Sequence, residues 1–181
     1  WSASLAGTLG QDPGWDPLAT MLDLAHARGL EVHAWINVYP VWAGANPPPQ
    51  AAQPRHMYYE FNERYDKEWI QWSRSGPMQL GGEEYLSANP AHPAVVERVV
   101  AVSNDILARY PVDGIHLDYI RYSGPEFSFD PLSEREYAEA AAQRPGLTRA
   151  DWQREQVTGL VERVRDEALP TRRGARLSAT A

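Results

Sequence analysis

The stretch Val112-Asp113-Gly114-Ile115-His116-Leu117-Asp118-Tyr119-Ile120-Arg121-Tyr122 decides the fold. Side chains alternate along a strand, so Ile115 and Leu117 point one way and Gly114, His116 and Asp118 the other. An apolar face backed by Gly, His and Asp does not suit a simple sandwich. It suits a strand of a parallel barrel. There the outer face lies under helices, and the inner face becomes polar toward the C-terminal mouth, where barrels keep their functional groups. Asp118 stands at that mouth. It is a candidate catalytic carboxylate, with an ion pair to Arg121 or a turn cap as the plainer alternative.

Upstream of this strand, a helix is expected from about Pro93 to Tyr110-Pro111, with Val95, Val99, Val102 and Ile106 on one stripe. Further back, Leu30 to Tyr39 reads as another strand. Val32, Ala34, Ile36 and Val38 form its apolar face. His33, Trp35 and Asn37 face the barrel axis. It is preceded by a helix that Asp16 caps and Pro17 opens, with Leu18, Met21, Leu22 and Ala25 on its stripe and Gly29 at its end. Residues 1–14 read as loop.

The segment between Tyr39 and Pro93 is expected to be a long functional loop. It carries Pro47-Pro48-Pro49, a turn at Gly81-Gly82 and a short helix near Asp66 to Arg74. It also carries the rings of Tyr58, Tyr59, Phe61, Tyr65, Trp69, Trp72 and Tyr85, most of them expected to form the loop's own small core. Downstream, Ser123-Gly124-Pro125 ends the opening strand and a loop runs to Pro131. Ser133 with Glu136 fits a capping box for a helix of about ten residues. Pro145-Gly146 breaks it, and Thr148 with Asp151 starts a longer helix ended by Pro170. Val157, Leu160, Val161, Val164 and Ala168 form the inward side of that helix. Ala175 to Ala181 is the last strand, with Leu177 and Ala179 alternating with Ser178 and Thr180.

Strands alternating with helices imply an α/β protein with a parallel sheet. Three strands cannot close a barrel of eight. The expectation is therefore a partial (β/α)8 TIM barrel, with residues 1–181 a fragment of a single domain. The alternative is a complete small α/β domain with an open three-stranded sheet. Its edges would be exposed.

Composition narrows the function classes. The net charge of −7 and the lack of a Lys/Arg run argue against a nucleic-acid surface. The chain has no cysteine, which excludes disulfides, thiolate nucleophiles and thiolate metal sites. No apolar stretch reaches membrane-span length. The chain opens on Trp1 and not on Met, so the lack of a signal sequence in these residues says little.

Three segments carry a family resemblance. They are Asp12-Pro13-Gly14-Trp15-Asp16-Pro17-Leu18, Gly29-Leu30-Glu31-Val32-His33-Ala34-Trp35-Ile36-Asn37, and Asp113 through Tyr122. They resemble the bacterial glycosyl-hydrolase-like TIM-barrel family, which is related to the domain that hydrolyses poly-N-acetylglucosamine. Tyr85-Leu86 with Asn89-Pro90, and Trp152 with Gln156-Val157, extend the resemblance along nearly the whole chain. Ser123 stands where the family usually has Pro. The resemblance implies that the three strands are the third to fifth of a full barrel. It also implies hydrolysis of an envelope or extracellular polysaccharide, an amino-sugar polymer such as peptidoglycan strands, by a secreted, periplasmic or lipoprotein-anchored protein.

Glycoside hydrolysis needs two carboxyl groups flanking one bond. Asp118 suits the nucleophile or base, and Arg121 is expected to hold it ionised. Glu83, Glu84, Glu126 and Asp130 read as solvated loop charges, so the partner acid is expected beyond Ala181, and the fragment alone is expected to be inactive. Trp35, Asn37, Tyr39, His116, Tyr119 and Arg121 are the candidate substrate-binding residues. Trp35 would stack on a sugar and Asn37 would hydrogen-bond a hydroxyl. Of the loop rings, Tyr39 and Trp42 are expected to face the cleft. No cofactor and no metal is expected. Two other readings remain: a metal-dependent hydrolase using His33, His116 and Asp118, and a non-catalytic carbohydrate-binding barrel.

Overall fold

The computed structural model describes residues 14–49, 55–82 and 85–180. The loop expected over residues 1–13, the candidate acids Glu83 and Glu84, and Ala181 lie outside them. A three-stranded sheet sits at the centre, built from β1 (His33–Asn37), β6 (Gly114–Asp118) and β7 (Arg176–Ala179) in the order β1-β6-β7. Both pairings are parallel. The register sets Trp35 opposite His116, Asn37 opposite Asp118, and His116 opposite Ser178. The strands are shorter than the alternation suggested, but their faces are as expected.

The apolar face carries Ala34, Ile36, Ile115, Leu117 and Leu177 into one core, where Ile115 and Leu117 are fully buried. Covering it are α1 (Pro17–His26), α3 (Pro93–Arg109) and α5 (Arg149–Arg163). Leu22, Val95, Val99, Val100, Leu107 and Leu160 are their buried contacts. The helix α5 runs on as a π-helical turn (Val164–Ala168), which buries Val164 and Ala168, and a 3-10 turn (Leu169–Thr171) that carries Pro170 in its first positions, so the helical run passes Pro170 by one residue. The inward side of α3 is Val95, Val99, Val100, Ser103 and Leu107. Val102 faces outward and Ile106 is only partly buried, because the helix presents the side one residue round from the expected stripe. On the other face of the sheet, Gly114 must be glycine. A Cβ there would come 2.6 Å from both the Arg176 carbonyl and the His33 ring.

Helix starts follow their caps. The side chains of Asp16 and Thr148 accept from Ala19 N and Asp151 N. The expected Ser133–Glu136 box does not form. Asp130 caps α4 (Pro131–Gln143) through Ser133 N, with Pro131 at the first turn. Proline has no N–H to satisfy, so the helix begins three residues earlier and runs thirteen residues. Asp130 is therefore fully buried rather than a solvated loop charge.

The long segment after β1 is structured. It holds β2 (Pro40–Trp42), α2 (Met57–Tyr65), β3 (Trp72–Ser73), β4 (Gly76–Pro77) and β5 (Leu86–Ser87). The short helix lies at α2 and not at Asp66–Arg74. Tyr58, Phe61 and Tyr65 fall on one helical face, and the fully buried Trp69 packs edge-on against Phe61 and Tyr58. Asp66 ends the helix at a left-handed φ of 50°. Beyond it the backbone pairs with other strands, as Gln71 N donates to Ser87 O and Asn89 N to Trp69 O. The antiparallel pairing of β2 with β5 brings Leu86 and Ser87 back beside the residues that follow β1.

Candidate active site

The C-terminal ends of β1 and β6 bring Trp35, Asn37 and Asp118 together on the open face of the sheet. The indole Nε1 of Trp35 donates to Asp118 Oδ2 at 3.0 Å and to Asn37 Oδ1 at 3.1 Å. Asp118 Oδ1 accepts from the next backbone N–H, that of Tyr119, at 2.7 Å. Below them the Trp35 and His116 rings meet at 4.8 Å, and His116 Nδ1 lies 2.9 Å from Ser178 Oγ. Trp35 is 67% exposed, so a large aromatic surface stands open beside a carboxylate.

A cleft of about 230 Å³ opens at the turn that follows Asp118, lined by Tyr39, Pro40, Tyr85, Ser87, Tyr119, Arg121 and Ser123. Its walls come from β2, β5 and the turn after β6. Tyr119 takes a φ of 52°, uncommon for an aromatic residue. Its ring lies 5.8 Å from that of Tyr85. The Arg121 guanidinium sits over the Tyr119 ring, 5.1 Å from its centre, and does not pair with Asp118. The expected ion pair is replaced by the indole and backbone donors, because the left-handed turn at Tyr119 carries Arg121 round toward the cleft.

Tyr39 forms part of the cleft lining, but it is 1% exposed and its hydroxyl is buried. Burial pushes that phenol far above its usual range, and does the same to Tyr122. Trp42 turns away from the cleft, with its Nε1 donating to Asn46 O and its ring edge-on to His56. Glu126 is exposed beside Gly124. Among the described residues, the cleft lining holds no carboxyl group. His33, His116 and Asp118 do not converge, since His33 lies opposite Gly114 at the start of the sheet and Asp118 lies at its end.

Two residues outside the expected site shape it. Tyr85 forms one wall, and the sequence offered only its place among many loop rings. Gln71 is fully buried. It donates to Ala88 O and accepts from Ser123 N, tying the long segment to the turn after β6. Nothing in its sequence surroundings marked it.

A parallel α/β sheet thus carries a carboxylate at the end of its middle strand, and the turn beyond that strand lines an aromatic cleft. Solved structures share the fold. An α-L-fucosidase (isoenzyme 2) from Paenibacillus thiaminolyticus aligns with a TM-score of 0.61 at 16% identity, over 91% of this chain and 22% of that one. A hypothetical protein from Ruminiclostridium thermocellum aligns at 0.57 and 13% identity, over 99% of this chain and 75% of that one. The family model described as Glycosyl hydrolase-like 10 matches residues 1–170, and the chain belongs to that family. Its curated relatives include the glycosyl hydrolase DigH of Escherichia coli, 31% identical over 91% of this chain. The glycosyl hydrolase YngK of Bacillus subtilis is 27% identical over 91% of it. The chain spans about a third of the length of these relatives, 35% and 29%.

Proposed function

We propose that the chain supplies part of the active site of a glycoside hydrolase acting on a bacterial envelope or extracellular polysaccharide. The substrate class is an amino-sugar polymer such as the glycan strands of peptidoglycan. Asp118 serves as the nucleophile, or as the base that activates water. Trp35 and the rings of Tyr85 and Tyr119 offer apolar faces that suit sugar rings, while the buried Tyr39 supports the cleft from below. Asn37, His116 and Arg121 offer polar contacts. The observation that carries this reading is the Asp118 carboxylate, held by two donors on the strand whose following turn, Tyr119 to Ser123, lines an aromatic cleft. Family membership supports it.

The three parallel strands in chain order support a further part of the proposal, that they are consecutive units of a (β/α)8 barrel. The partner acid then comes from a strand after β7, and residues 1–181 alone do not turn over glycan. Action on an envelope polymer goes with a secreted, periplasmic or lipoprotein-anchored protein. The test uses the full-length protein and a purified amino-sugar polymer, with new reducing ends measured by chromatography. Asp118→Asn keeps the shape and removes the charge, and lowers turnover by on the order of a thousandfold or more. Near-normal turnover in that variant would overturn the assignment.

A further inference from the structure

We propose that Trp35 is a positioning residue for Asp118, in addition to any contact its ring makes with sugar. This rests on the glycosidase reading above. A single indole N–H is shared between Asp118 Oδ2 and Asn37 Oδ1, at 3.0 and 3.1 Å. The other Asp118 oxygen takes the Tyr119 N–H at 2.7 Å. Each carboxylate oxygen thus has one fixed donor and keeps a lone pair for chemistry.

The Tyr119 donor reaches Asp118 through a left-handed backbone, which L-residues with large side chains adopt at a cost. Strain of this kind persists where the surroundings enforce it, and it concentrates at functional sites. Trp35 is itself braced. Its ring tilts against His116, which lies on β6 and is anchored to Ser178 on β7. The line Ser178–His116–Trp35–Asp118 therefore draws on all three strands to set one carboxylate. The same indole N–H fixes Asn37. With its Oδ1 accepting from Trp35, the Asn37 amide NH2 is the end left to donate to a substrate hydroxyl. Phenylalanine would provide a similar stacking face but no N–H, so the two roles of Trp35 separate experimentally.

The experiment measures steady-state turnover of the amino-sugar polymer by the full-length protein, its Trp35→Phe and Asp118→Asn variants, and the double variant. A second version of the first variant carries benzothienylalanine at position 35, which keeps the bicyclic shape and replaces only the N–H. Both Trp35 changes are expected to lower kcat by about 10- to 100-fold, with little change in KM, because misplacing a reacting group acts on the chemical step. In the Asp118→Asn background Trp35→Phe should have no further effect, the non-additivity expected of one residue acting through another. Unchanged kcat with raised KM would show a stacking platform only and overturn the inference, leaving the glycosidase reading in place. Additive losses in the double variant would overturn it as well. Normal turnover by Asp118→Asn alone would remove the glycosidase reading and this inference together.

Discussion

At the scale of single residues, the site depends on side chains that touch no cleft surface. Gln71 is the clearest case. Its amide spans from Ala88 O to Ser123 N, so it fixes the distance between the long segment and the turn that carries Arg121. Replacing it with Ala leaves a buried carbonyl and a part-buried N–H unpaired and opens a void. Gln71→Ala is expected to lower stability by about 2–4 kcal/mol, read as a shift of the urea midpoint at constant slope. An unchanged midpoint would mean that the two backbone groups find other partners. At Asp118 itself, charge removal is expected to act on rate and not on folding, since its donors are one half-solvated indole and one backbone N–H at the surface.

At the scale of elements, helix starts set a pH dependence. Besides Asp and Thr, two histidines serve as caps. His56 Nδ1 accepts from Tyr58 N at the start of α2, and His92 Nδ1 accepts from Ala94 N at the start of α3. An accepting ring nitrogen must be unprotonated, and burial holds both pKa values below the ordinary 6.5. A depressed folded pKa means that the unfolded chain binds protons first as pH falls. Their stabilisation is therefore fully present above 6.5 and is lost as pH drops through the folded values. The melting temperature should fall between pH 7 and 5, and the His56→Asn/His92→Asn variant, which keeps capping groups that do not titrate, should show a flatter profile. An equally steep profile in that variant would assign the dependence elsewhere. The end of α2 makes a second case. Asp66 holds φ 50° and ψ −112° with an exposed side chain, a conformation that glycine adopts without strain. Asp66→Gly should stabilise by about 1 kcal/mol, and a lower melting temperature would show that the aspartate contributes more than its strain costs.

At the scale of the molecule, the sheet has two open edges among the described residues. In β7 the Arg176 and Thr180 N–H groups donate to β6, so by alternation the Leu177 and Ala179 N–H groups point to the free side. If the chain forms consecutive units of a closed barrel, those two amides pair with a following strand in the full-length protein. Hydrogen exchange should then show Leu177 and Ala179 protected there and fast in residues 1–181 alone. Fast exchange in both would support an open sheet. The polar face gives a parallel expectation, since an indole as open as that of Trp35 becomes an inner-wall residue once a barrel closes round it.

Much of this was legible in the chain. The alternation in Gly114–Asp118, His33–Asn37 and Arg176–Ala179 identified the three parallel strands, because burial on one side of a sheet imposes a period of two. Asp16-Pro17 and Thr148 with Asp151 marked their helices, because capping is a local bargain among adjacent residues. The juxtaposition of Trp35, Asn37 and Asp118 followed from reading both strands toward one mouth. The tertiary structure decided the rest. Arg121 left Asp118 because a left-handed turn at Tyr119 reoriented it, and no sequence pattern announces such a turn at tyrosine. The helix at Met57–Tyr65, the buried cap at Asp130 and the clamp at Gln71 depend on partners far along the chain, such as Arg98 for Glu60 and Ser123 for Gln71. Local periodicity reports which side of an element is apolar. Which distant backbone groups need a donor, and which side chain is long enough to reach them, is settled only when the elements pack.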